Sequence, residues 1–158
     1  MDESLGIRLA EAADFDSLQA IFVRASLSNA GDRDVLLANP DALVLTPDRI
    51  AQRRTVVAVT DTGTIAGFAS SGAITDDSVE LDDLFVDPSM MRRGIGRRLV
   101  DAIAADARRR GLTEIVVTAN PHADAFYRSA GFVELHQVST EFGSGARMSL
   151  AVTRRRPA

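Results

Sequence analysis

Apolar residues recur every three or four positions in three segments of the chain, and this spacing predicts three amphipathic helices. The first extends from about Asp14 to Leu27. The second extends from Gly94 to Arg110 and would be about 25 Å long at the usual rise per residue. The third follows Asn120-Pro121, which have the residue types of an N-cap and a first helical position, and ends before Gly131.

Segments rich in β-branched residues lie between these helices and predict strands. Thr55–Thr60 and Thr64–Ala73 flank the turn sequence Asp61-Thr62-Gly63, and together they predict a hairpin. The other predicted strands are Gly6–Ala10, Val79–Val86, Glu114–Ala119, Phe132–Val138 and Ala146–Val152, the last two joined through residues 141–145. The sequence therefore predicts a mixed α/β fold.

The segment from Ser28 to Arg54 has mixed signals. Asn39-Pro40 interrupts it, and Thr46-Pro47 predicts a short second helix with Thr46 as the N-cap and Pro47 as the first helical residue. The pattern assigns no other element to this segment.

The predicted strand Val79–Val86 breaks the alternation expected of a strand. Val79 and Leu81 fall on one parity and Leu84 and Val86 on the other, with two aspartates between them. One extra residue at the aspartates, a β-bulge, would place all four apolar side chains on one face and bend the strand. The alternative is a strand with both faces partly buried.

The composition is that of a globular protein, with 46% of the 158 residues hydrophobic and 25% charged. This length is enough for one sizeable core and short for two, so we expect one domain over residues 1–152 and a basic tail over 153–158. The first residues are acidic, and no apolar stretch approaches the ~20 residues of a membrane span. We therefore expect a cytoplasmic protein without a membrane partner.

The chain contains no cysteine and only two histidines, His122 and His136. This excludes a disulfide framework and a thiol nucleophile, and we expect no metal cofactor. All 18 basic residues are arginine, which excludes a lysine Schiff base. The net charge of −4 argues against a nucleic-acid partner, although arginines cluster at 92–98, 108–110 and 154–156. Nucleic-acid binding through these clusters would depend steeply on salt.

The first arginine cluster surrounds two glycines, in the sequence RRGIGRR, at the predicted start of a helix. It lacks the third glycine of a dinucleotide fingerprint and the Gly-Lys-Ser/Thr of a Walker loop. Gly94 and Gly96 nevertheless leave backbone N–H groups uncovered at a positive helix end, and such an arrangement beside arginines binds a diphosphate. The alternative is a solvated arginine cluster relieved by pairs such as Arg97 with Asp101.

Two segments resemble the GNAT-type N-acetyltransferases. LFVDPSMMRRGIGRRLVDA is similar to the strand, loop and helix with which that family binds acetyl-coenzyme A (acetyl-CoA), and ANPHADAFYRSAGF is similar to the second half of its signature. The order of the predicted elements agrees over nearly the whole chain. The resemblance implies a GNAT-like fold, in which a largely antiparallel mixed sheet of six to seven strands, with a bulged and splayed fourth strand, is flanked by about four helices.

The resemblance also implies a cofactor site. Main-chain N–H groups of residues 92–97 would hold the pyrophosphate, and pantetheine would pair with the splayed strand. The implied cofactor-binding residues are Leu84, Phe85, Val86, Arg92, Arg93, Gly94, Ile95, Gly96, Arg97, Arg98, Asn120, Phe126 and Tyr127. Asn120 and Phe126 have simpler interpretations as a helix cap and a core residue. Met91 departs from the family, which most often has glutamine or arginine there.

Catalytic roles follow from the same resemblance. Tyr127, the only tyrosine, matches the family's general acid, which would protonate the leaving thiolate; the alternative is a core aromatic. Glu80 aligns with a strand position where some members carry a glutamate base, and Asp82 and Asp83 are neighbouring candidates. The alternative for all three is an exposed acidic face. One N–H group around Leu84–Val86 could stabilise the oxyanion.

The resemblance thus implies an enzyme that moves an acetyl group from acetyl-CoA to a primary amine by direct attack in a ternary complex. A non-catalytic acyl-CoA sensor or interaction module of the same fold is the alternative. The acceptor, a small-molecule amine or a peptide or protein amine, is set in this family largely by the regions matching residues 27–49 and 141–146. Neither region contains a recognisable specificity pattern, and the sequence leaves a homodimer open.

Overall fold

The computed structural model describes residues 5–140 and 143–152. The predicted tail over 153–158 and residues 141–142 of the predicted final loop lie outside the described residues. The strands are β1 (Gly6–Leu9), β2 (Thr55–Val59), β3 (Ile65–Thr75), β4 (Ser78–Val86), β5 (Glu114–Ala119), β6 (Val133–Thr140) and β7 (Gly143–Ala151). The α-helices are α1 (Phe15–Leu27), α2 (Ala30–Ala38), α3 (Asp48–Ala51), α4 (Ile95–Arg109) and α5 (Asp124–Ser129), and short 3-10 helices lie at Ala12–Asp14, Pro40–Leu43 and Pro88–Met90.

The seven described strands form one sheet in the order β1-β2-β3-β4-β5-β7-β6. All neighbours are antiparallel except β4 and β5, which confirms the predicted mixed and largely antiparallel sheet. The prediction of a loop at residues 143–145 is wrong, because these residues pair with Val138–Thr140. Two glycines in a short segment indicated a turn, but cross-strand pairing overrides that local preference.

The sheet opens between β4 and β5. Their parallel ladder consists of three pairs in the described part of the chain, from Ser78 with Glu114 to Glu80 with Val116. Beyond Glu80, β4 continues to pair with β3 while β5 continues to pair with β7. The final residues of β4 therefore border a gap in the sheet, as the resemblance implied.

The break in alternation along β4 is a β-bulge. Ser70 of β3 pairs with Asp83 and Ser71 pairs with Leu81, so Asp82 is the additional residue. The bulge brings the apolar residues of both parities into one cluster with α4; they are Val79, Leu81, Leu84 and Val86. Phe85 packs on the opposite face, so the bulge is confirmed and the other side of the strand is partly covered as well.

Two apolar clusters cover the faces of the sheet. The larger one contains the buried stripe of α4 predicted from the sequence, Ile95, Leu99, Ile103 and Ala107, together with core residues of β5 and β7. The smaller one joins α1 and α3 to β2 and β3. A Cβ added at Gly67 would lie 2.8 Å from the Phe85 carbonyl oxygen, so glycine is required at this contact of β3 with β4 and α4.

The helices differ from the predictions in three respects. Helix α2 was not predicted. Helix α3 starts at Asp48 with Pro47 as its N-cap, so the predicted N-cap role of Thr46 is wrong. Helix α5 starts at Asp124, and its N-cap is Ala123 rather than Asn120.

The Asn120 side chain still has a local role, because its Oδ1 accepts a hydrogen bond of 3.0 Å from the N–H of Ala123. This bond stabilises the turn that leads into α5. Within residues 5–140 and 143–152, no helix combines the length and apolar character that crossing a bilayer requires.

Candidate functional site

A cavity of about 500 Å³ lies where β4 and β5 separate, which is a volume typical of small-molecule sites. One part of its wall comes from the end of β4, the loop after it and the start of α4. A second part comes from residues 120–127, and a third from α1, α2 and the 3-10 helix at Pro40–Leu43. The cavity-lining residues that the sequence singled out are Leu84, Phe85, Val86, Met91, Gly96, Asn120, His122, Phe126 and Tyr127.

The glycine loop provides unpaired main-chain donors at the start of α4. Gly94 is the N-cap, with a positive φ of 73°, and its carbonyl accepts the N–H of Arg98 at 3.1 Å. The N–H groups of residues 95–97 precede that first helical bond and have no intrahelical acceptor. A Cβ added at Gly94 would meet no atom within 4 Å, so the space beside the loop at this position is open. These features fit an anion site.

The four arginines beside these glycines are exposed. Arg97 donates to the carbonyl of Ser129 at 3.2 Å and lies 3.7 Å from Asp101. The internal pair with Asp101 was the alternative to an anion site, and it is present. A distance of 3.7 Å between exposed groups gives a weak interaction, so Arg97 can still contact a ligand.

The absence of a side chain at Gly96 allows α5 to pack closely against the start of α4. A Cβ added at this position would lie 3.1 Å from the ring of Phe126, which is closer than such contacts normally are. Phe126 is half-buried, packs against the larger cluster and lines the cavity. It is therefore both a core residue and part of the site wall, and it fixes the position of the next residue along α5.

Tyr127 lies between two aromatic rings at the cavity. Its ring packs edge-on against Phe126, with centroids 5.3 Å apart, and against Phe132 at 5.1 Å. It is 7% exposed, and no group among the described residues hydrogen-bonds to its hydroxyl. Burial, and secondarily the negative charge of Asp83, raise the pKa of the Tyr127 phenol. The phenol is therefore protonated at neutral pH, as a general acid must be before it acts.

Arginines hold two of the three candidate bases on β4. Arg147 donates from both terminal nitrogens to Glu80, at 2.6 Å to each carboxylate oxygen. Arg49 donates from Nε to Asp82 at 2.9 Å. Both carboxylates are therefore occupied in ion pairs, and the pair of Glu80 with Arg147 has the bidentate geometry of the stronger charge-assisted hydrogen bonds.

Asp83 has a different environment from these two residues. Burial raises its pKa, and the charge of the adjacent Asp82 raises it further, whereas a hydrogen bond with Ser70 and the charge of Arg49 act in the opposite direction. Its charge also acts on Tyr127, which places the two groups close together. The structure thus separates the three acidic residues into two that are paired with arginines and one that lies near the phenol.

Asp87 connects the glycine loop to α1. Its carboxylate accepts from the N–H of Ser89 at 3.0 Å and from the Ser89 hydroxyl at 2.9 Å, and Arg24 of α1 donates to it at 2.6 Å. Burial raises the pKa of Asp87, but the hydrogen bonds from Ser89 and Arg24 outweigh it and lower the pKa overall. The start of the loop and α1 are therefore held together.

Helices α1 and α2 form the wall opposite the glycine loop. Phe22 of α1 packs edge-on against Phe85, with ring centroids 4.8 Å apart. His122 Nε2 lies 3.1 Å from a carboxylate oxygen of Asp32 in α2, so the residue pair links α2 to the turn before α5. From the sequence, His122 was interpreted as an exposed residue or a ligand contact. The structure adds its contact with Asp32.

Several residues of the site were missed in the sequence, notably those of α2 and Arg147. Asn29 and Asp32 have the spacing of a capping pair and could have indicated the start of α2, although no side-chain cap bond forms there. Arg147 lies between the buried Ala146 and Met148, so strand alternation places it on the opposite face. Nothing in the sequence indicated Glu80 as its partner.

No group of three or more histidine, aspartate or glutamate side chains in the described ranges is arranged to hold a metal ion. The groups described above at or near the cavity are the glycine loop, the open edge of β4, a buried phenol and the acidic residues of β4.

The model of the acetyltransferase (GNAT) family matches residues 17–132. The chain is 33% identical over 79 residues to the ribosomal protein bS18-alanine N-acetyltransferase of Escherichia coli K12, covering 48% of this chain and 53% of that enzyme. It is 35% identical over 54 residues to glucosamine 6-phosphate N-acetyltransferase 1 of Oryza sativa subsp. japonica, covering 34% of this chain and 33% of that enzyme. The alignments thus span a third to about half of these curated relatives.

Similarity to a solved structure extends over almost the whole chain. YncA of Salmonella typhimurium, solved with its cofactor acetyl-CoA, is 26% identical, with a TM-score of 0.72 over 98% of each chain.

Proposed function

The chain belongs to the acetyltransferase (GNAT) family, and from this premise we propose that it transfers the acetyl group of acetyl-CoA to a primary amine by direct attack in a ternary complex. One observation carries the proposal: a single cavity connects the glycine loop, the gap between β4 and β5, and Tyr127. The acetyl-CoA-bound structure of YncA, which is similar along its full length, supports the choice of donor.

The residues present fit acetyl-CoA. The unpaired N–H groups of residues 95–97 and the open space at Gly94 would accommodate the pyrophosphate, with Arg92, Arg93, Arg97 and Arg98 supplying positive charge. The main chain of Leu84–Val86 borders the gap, where it would hydrogen-bond to pantetheine. Met91 lines the cavity with an apolar side chain, so we assign no phosphate contact to it. When bound, acetyl-CoA supplies the thioester that the amine attacks.

Tyr127 is proposed to protonate the departing thiolate. It lines the cavity, carries its proton at neutral pH and is fixed by two neighbouring rings. An N–H group of the open β4 edge would donate to the oxyanion that forms as the amine attacks. Asn120 also lines the cavity, where its side chain stabilises the turn before α5.

We propose that Asp83 takes a proton from the ammonium group of the acceptor, directly or through water, and that the neutral amine so formed attacks the thioester. A base must bind a proton readily, and burial raises the proton affinity of Asp83, whereas the carboxylates of Glu80 and Asp82 are occupied by hydrogen bonds from arginines. The sequence favoured Glu80 and then Asp82 for this role. Both remain predictions, and a drop in rate with an altered pH profile in Glu80→Gln but not in Asp83→Asn would restore Glu80.

The test of the proposed function is thiol release from acetyl-CoA in the presence of amines, with the thiol and the acetylated amine both quantified. Equal amounts of the two products are expected, and thiol release should depend on amine concentration. A protein that acetyl-CoA stabilises against heating, but that releases no thiol with any primary amine, would be a sensor or interaction module instead.

A further inference from the structure

We propose that the acetyl acceptor is a small primary amine with an apolar alkyl or aryl group, bound between α1 and α2. This inference rests on the proposed function and specifies its substrate class. Three features of the cavity support it: the apolar character of its far wall, the fixed position of that wall, and the kinds of charge found around it.

The wall opposite the glycine loop has an apolar part beside its polar residues Ser26, Ser28, Asn29 and Asp32. Phe22 and Ala25 of α1 and Leu36 of α2 line it, and Ala42 of the 3-10 helix continues it. Val35 lies at the same wall and is 44% exposed, so apolar surface remains uncovered there. An alkyl or aryl group would cover that surface and gain about 25 cal/mol for each Å² removed from water.

The far wall is held in place by hydrogen bonds to α1. The Gln19 side chain donates to the Leu43 carbonyl at 2.6 Å and accepts from the N–H of Leu45 at 2.7 Å. Arg24 and Asp87 attach α1 to the donor side of the cavity. A wall fixed on both sides has a defined shape, so it can distinguish acceptors by their fit.

The charges around the cavity favour a cation. Among the described lining residues there is no arginine, although the chain contains 18 basic residues. The acidic side chain among these lining residues is Asp32, whose carboxylate faces His122, and Asp83 lies outside the lining but close enough for its charge to act on Tyr127. An ammonium group at the far wall would therefore lie near the Asp32 carboxylate, whereas a phosphate or carboxylate held there would have no arginine among the lining residues to pair with, since the four arginines of the glycine loop stand on the donor side.

Polyhydroxylated amines are disfavoured for a related reason. Hydroxyl groups that lie against Phe22 and Leu36, away from the polar residues of the wall, would have no hydrogen-bond partner there, and a buried unpaired polar group costs about 1–3 kcal/mol in typical cases. The far wall therefore selects by apolar contact and by positive charge.

The experiment compares four primary amines with the full chain and saturating acetyl-CoA: n-hexylamine, 2-phenylethylamine, glucosamine 6-phosphate and a tetrapeptide with a free N-terminal alanine. We expect kcat/KM for the two apolar amines to exceed that for the other two by about tenfold or more, a ratio typical of apolar-pocket discrimination. Higher kcat/KM for the sugar phosphate or the peptide would overturn the inference and leave the proposed function intact.

Two adjacent leucines of α2 provide a matched pair of variants. Leu36→Ser should raise KM for n-hexylamine about tenfold, because it removes apolar contact from the wall, while KM for acetyl-CoA stays unchanged. Leu37 is 52% exposed and does not line the cavity, so Leu37→Ser should leave both constants unchanged. Equal effects of the two variants on n-hexylamine would overturn the inference.

Failure of the proposed function has a separate signature. If acetyl-CoA raises the melting temperature but neither these four nor any other primary amine releases thiol, the transferase proposal fails and the acceptor inference fails with it. If any amine releases thiol, the proposed function stands and the ranking of the four amines decides the inference.

Discussion

The two sides of the cavity are built by different means. The donor side, at the start of α4 and the end of β4, depends on main-chain geometry at a few glycines and on a register shift in one strand. The acceptor side, formed by α1 and α2, depends on side chains that come from separate helices and are held by Gln19 and Arg24. A main-chain site can be recognised in a short motif, whereas a side-chain wall emerges only after folding.

The two sides also differ in how deeply they are packed. Helix α4 buries six side chains, whereas none of the described side chains of α2 is fully buried. Changes on the donor side should therefore affect cofactor binding sharply, and changes on the acceptor side should affect amine binding more gradually.

The largest effect is expected where the two sides meet, at Tyr127. Tyr127→Phe removes the hydroxyl and keeps the ring, so kcat should fall by about 10²- to 10⁴-fold, the usual contribution of a general acid. KM for acetyl-CoA should change far less. Steady-state kinetics with a saturating amine measures both constants.

Phe132→Leu is the control for Tyr127→Phe. It disturbs the same aromatic packing without removing the hydroxyl, so it should lower the melting temperature and retain kcat. If Tyr127→Phe reduced kcat and cofactor affinity equally, or if Phe132→Leu reduced kcat as much, the phenol would have a packing role only.

The next largest effect tests the donor side. Gly94→Val would place a side chain in the open space beside the loop and should weaken acetyl-CoA binding at least about 100-fold, by preventing one or two charge-assisted hydrogen bonds. Isothermal titration calorimetry measures the dissociation constant.

Gly111→Val is a close match for this variant. Gly111 has a φ of 76° against 73° at Gly94, and an added Cβ meets no atom within 4 Å at either position. Each valine should lower the free energy of unfolding by about 1–3 kcal/mol, because φ is positive at both sites. Unchanged cofactor affinity in Gly94→Val, or equal loss in both variants, would exclude the loop as the phosphate site.

A smaller effect is expected on the acceptor side. Gln19→Ala leaves the Leu43 carbonyl and the Leu45 N–H without their side-chain partner and should cost about 1–3 kcal/mol of stability. Because the wall loosens, KM for the best amine should rise roughly fivefold, equivalent to about 1 kcal/mol. The dissociation constant of acetyl-CoA should stay the same.

Gln52→Ala serves as the control for this wall variant. Gln52 is exposed and accepts one hydrogen bond of 2.9 Å from Arg49, so its removal should change stability by less than about 0.5 kcal/mol. A rise in the acetyl-CoA dissociation constant in Gln19→Ala would show that the two sides are not separable.

The smallest effect is a pH dependence of stability at Asp83. Its pKa is raised in the folded state, so the folded protein holds this proton more tightly than the unfolded chain does. Stability from this group is greatest at low pH and is lost as pH rises from the ordinary aspartate pKa through the raised one. Asp83→Asn removes the buried charge, so it should melt at a higher temperature than the parent near pH 7, and the difference should disappear at low pH.

Asp82→Asn provides the comparison for this pH effect. Asp82 is exposed, and the substitution removes its ion pair with Arg49, so the variant protein should not be more stable than the parent near pH 7. Thermal melts between pH 3 and pH 8 in steps of about half a unit cover the relevant range. A lower melting temperature for Asp83→Asn than for the parent at pH 7 would contradict the assigned cost of burial.

Much of the fold is predictable because its elements carry strong periods. Helices α1 and α4, strand β5 and the hairpin of β2 and β3 lie within a residue or two of their predicted ends. The bulge at Asp82 was visible as a change of parity. Helix α2 was not predicted, because glycine and two aspartates weaken its helical preference. Its few apolar residues also do not extend over enough turns to show a helical period.

The same distinction applies to the site. Gly96 and Tyr127 belong to contiguous motifs, and the structure brings both to one cavity. The contacts of Glu80 with Arg147 and of Asp32 with His122 join residues 67 and 90 positions apart, and no local pattern links them. Tertiary packing therefore determines which acidic residues of β4 pair with an arginine.

The short ladder between β4 and β5 has a consequence for amide hydrogen exchange. With only three pairs joining them in the described sheet, β1–β4 and β5–β7 form two partly independent sets of hydrogen bonds, which α4 and the Glu80–Arg147 pair hold together. Amides of Leu84–Val86 that face the gap should exchange faster than those bonded to β3. A ligand that fills the gap would slow that exchange and couple the two halves, so the open edge would report occupancy of the site residue by residue.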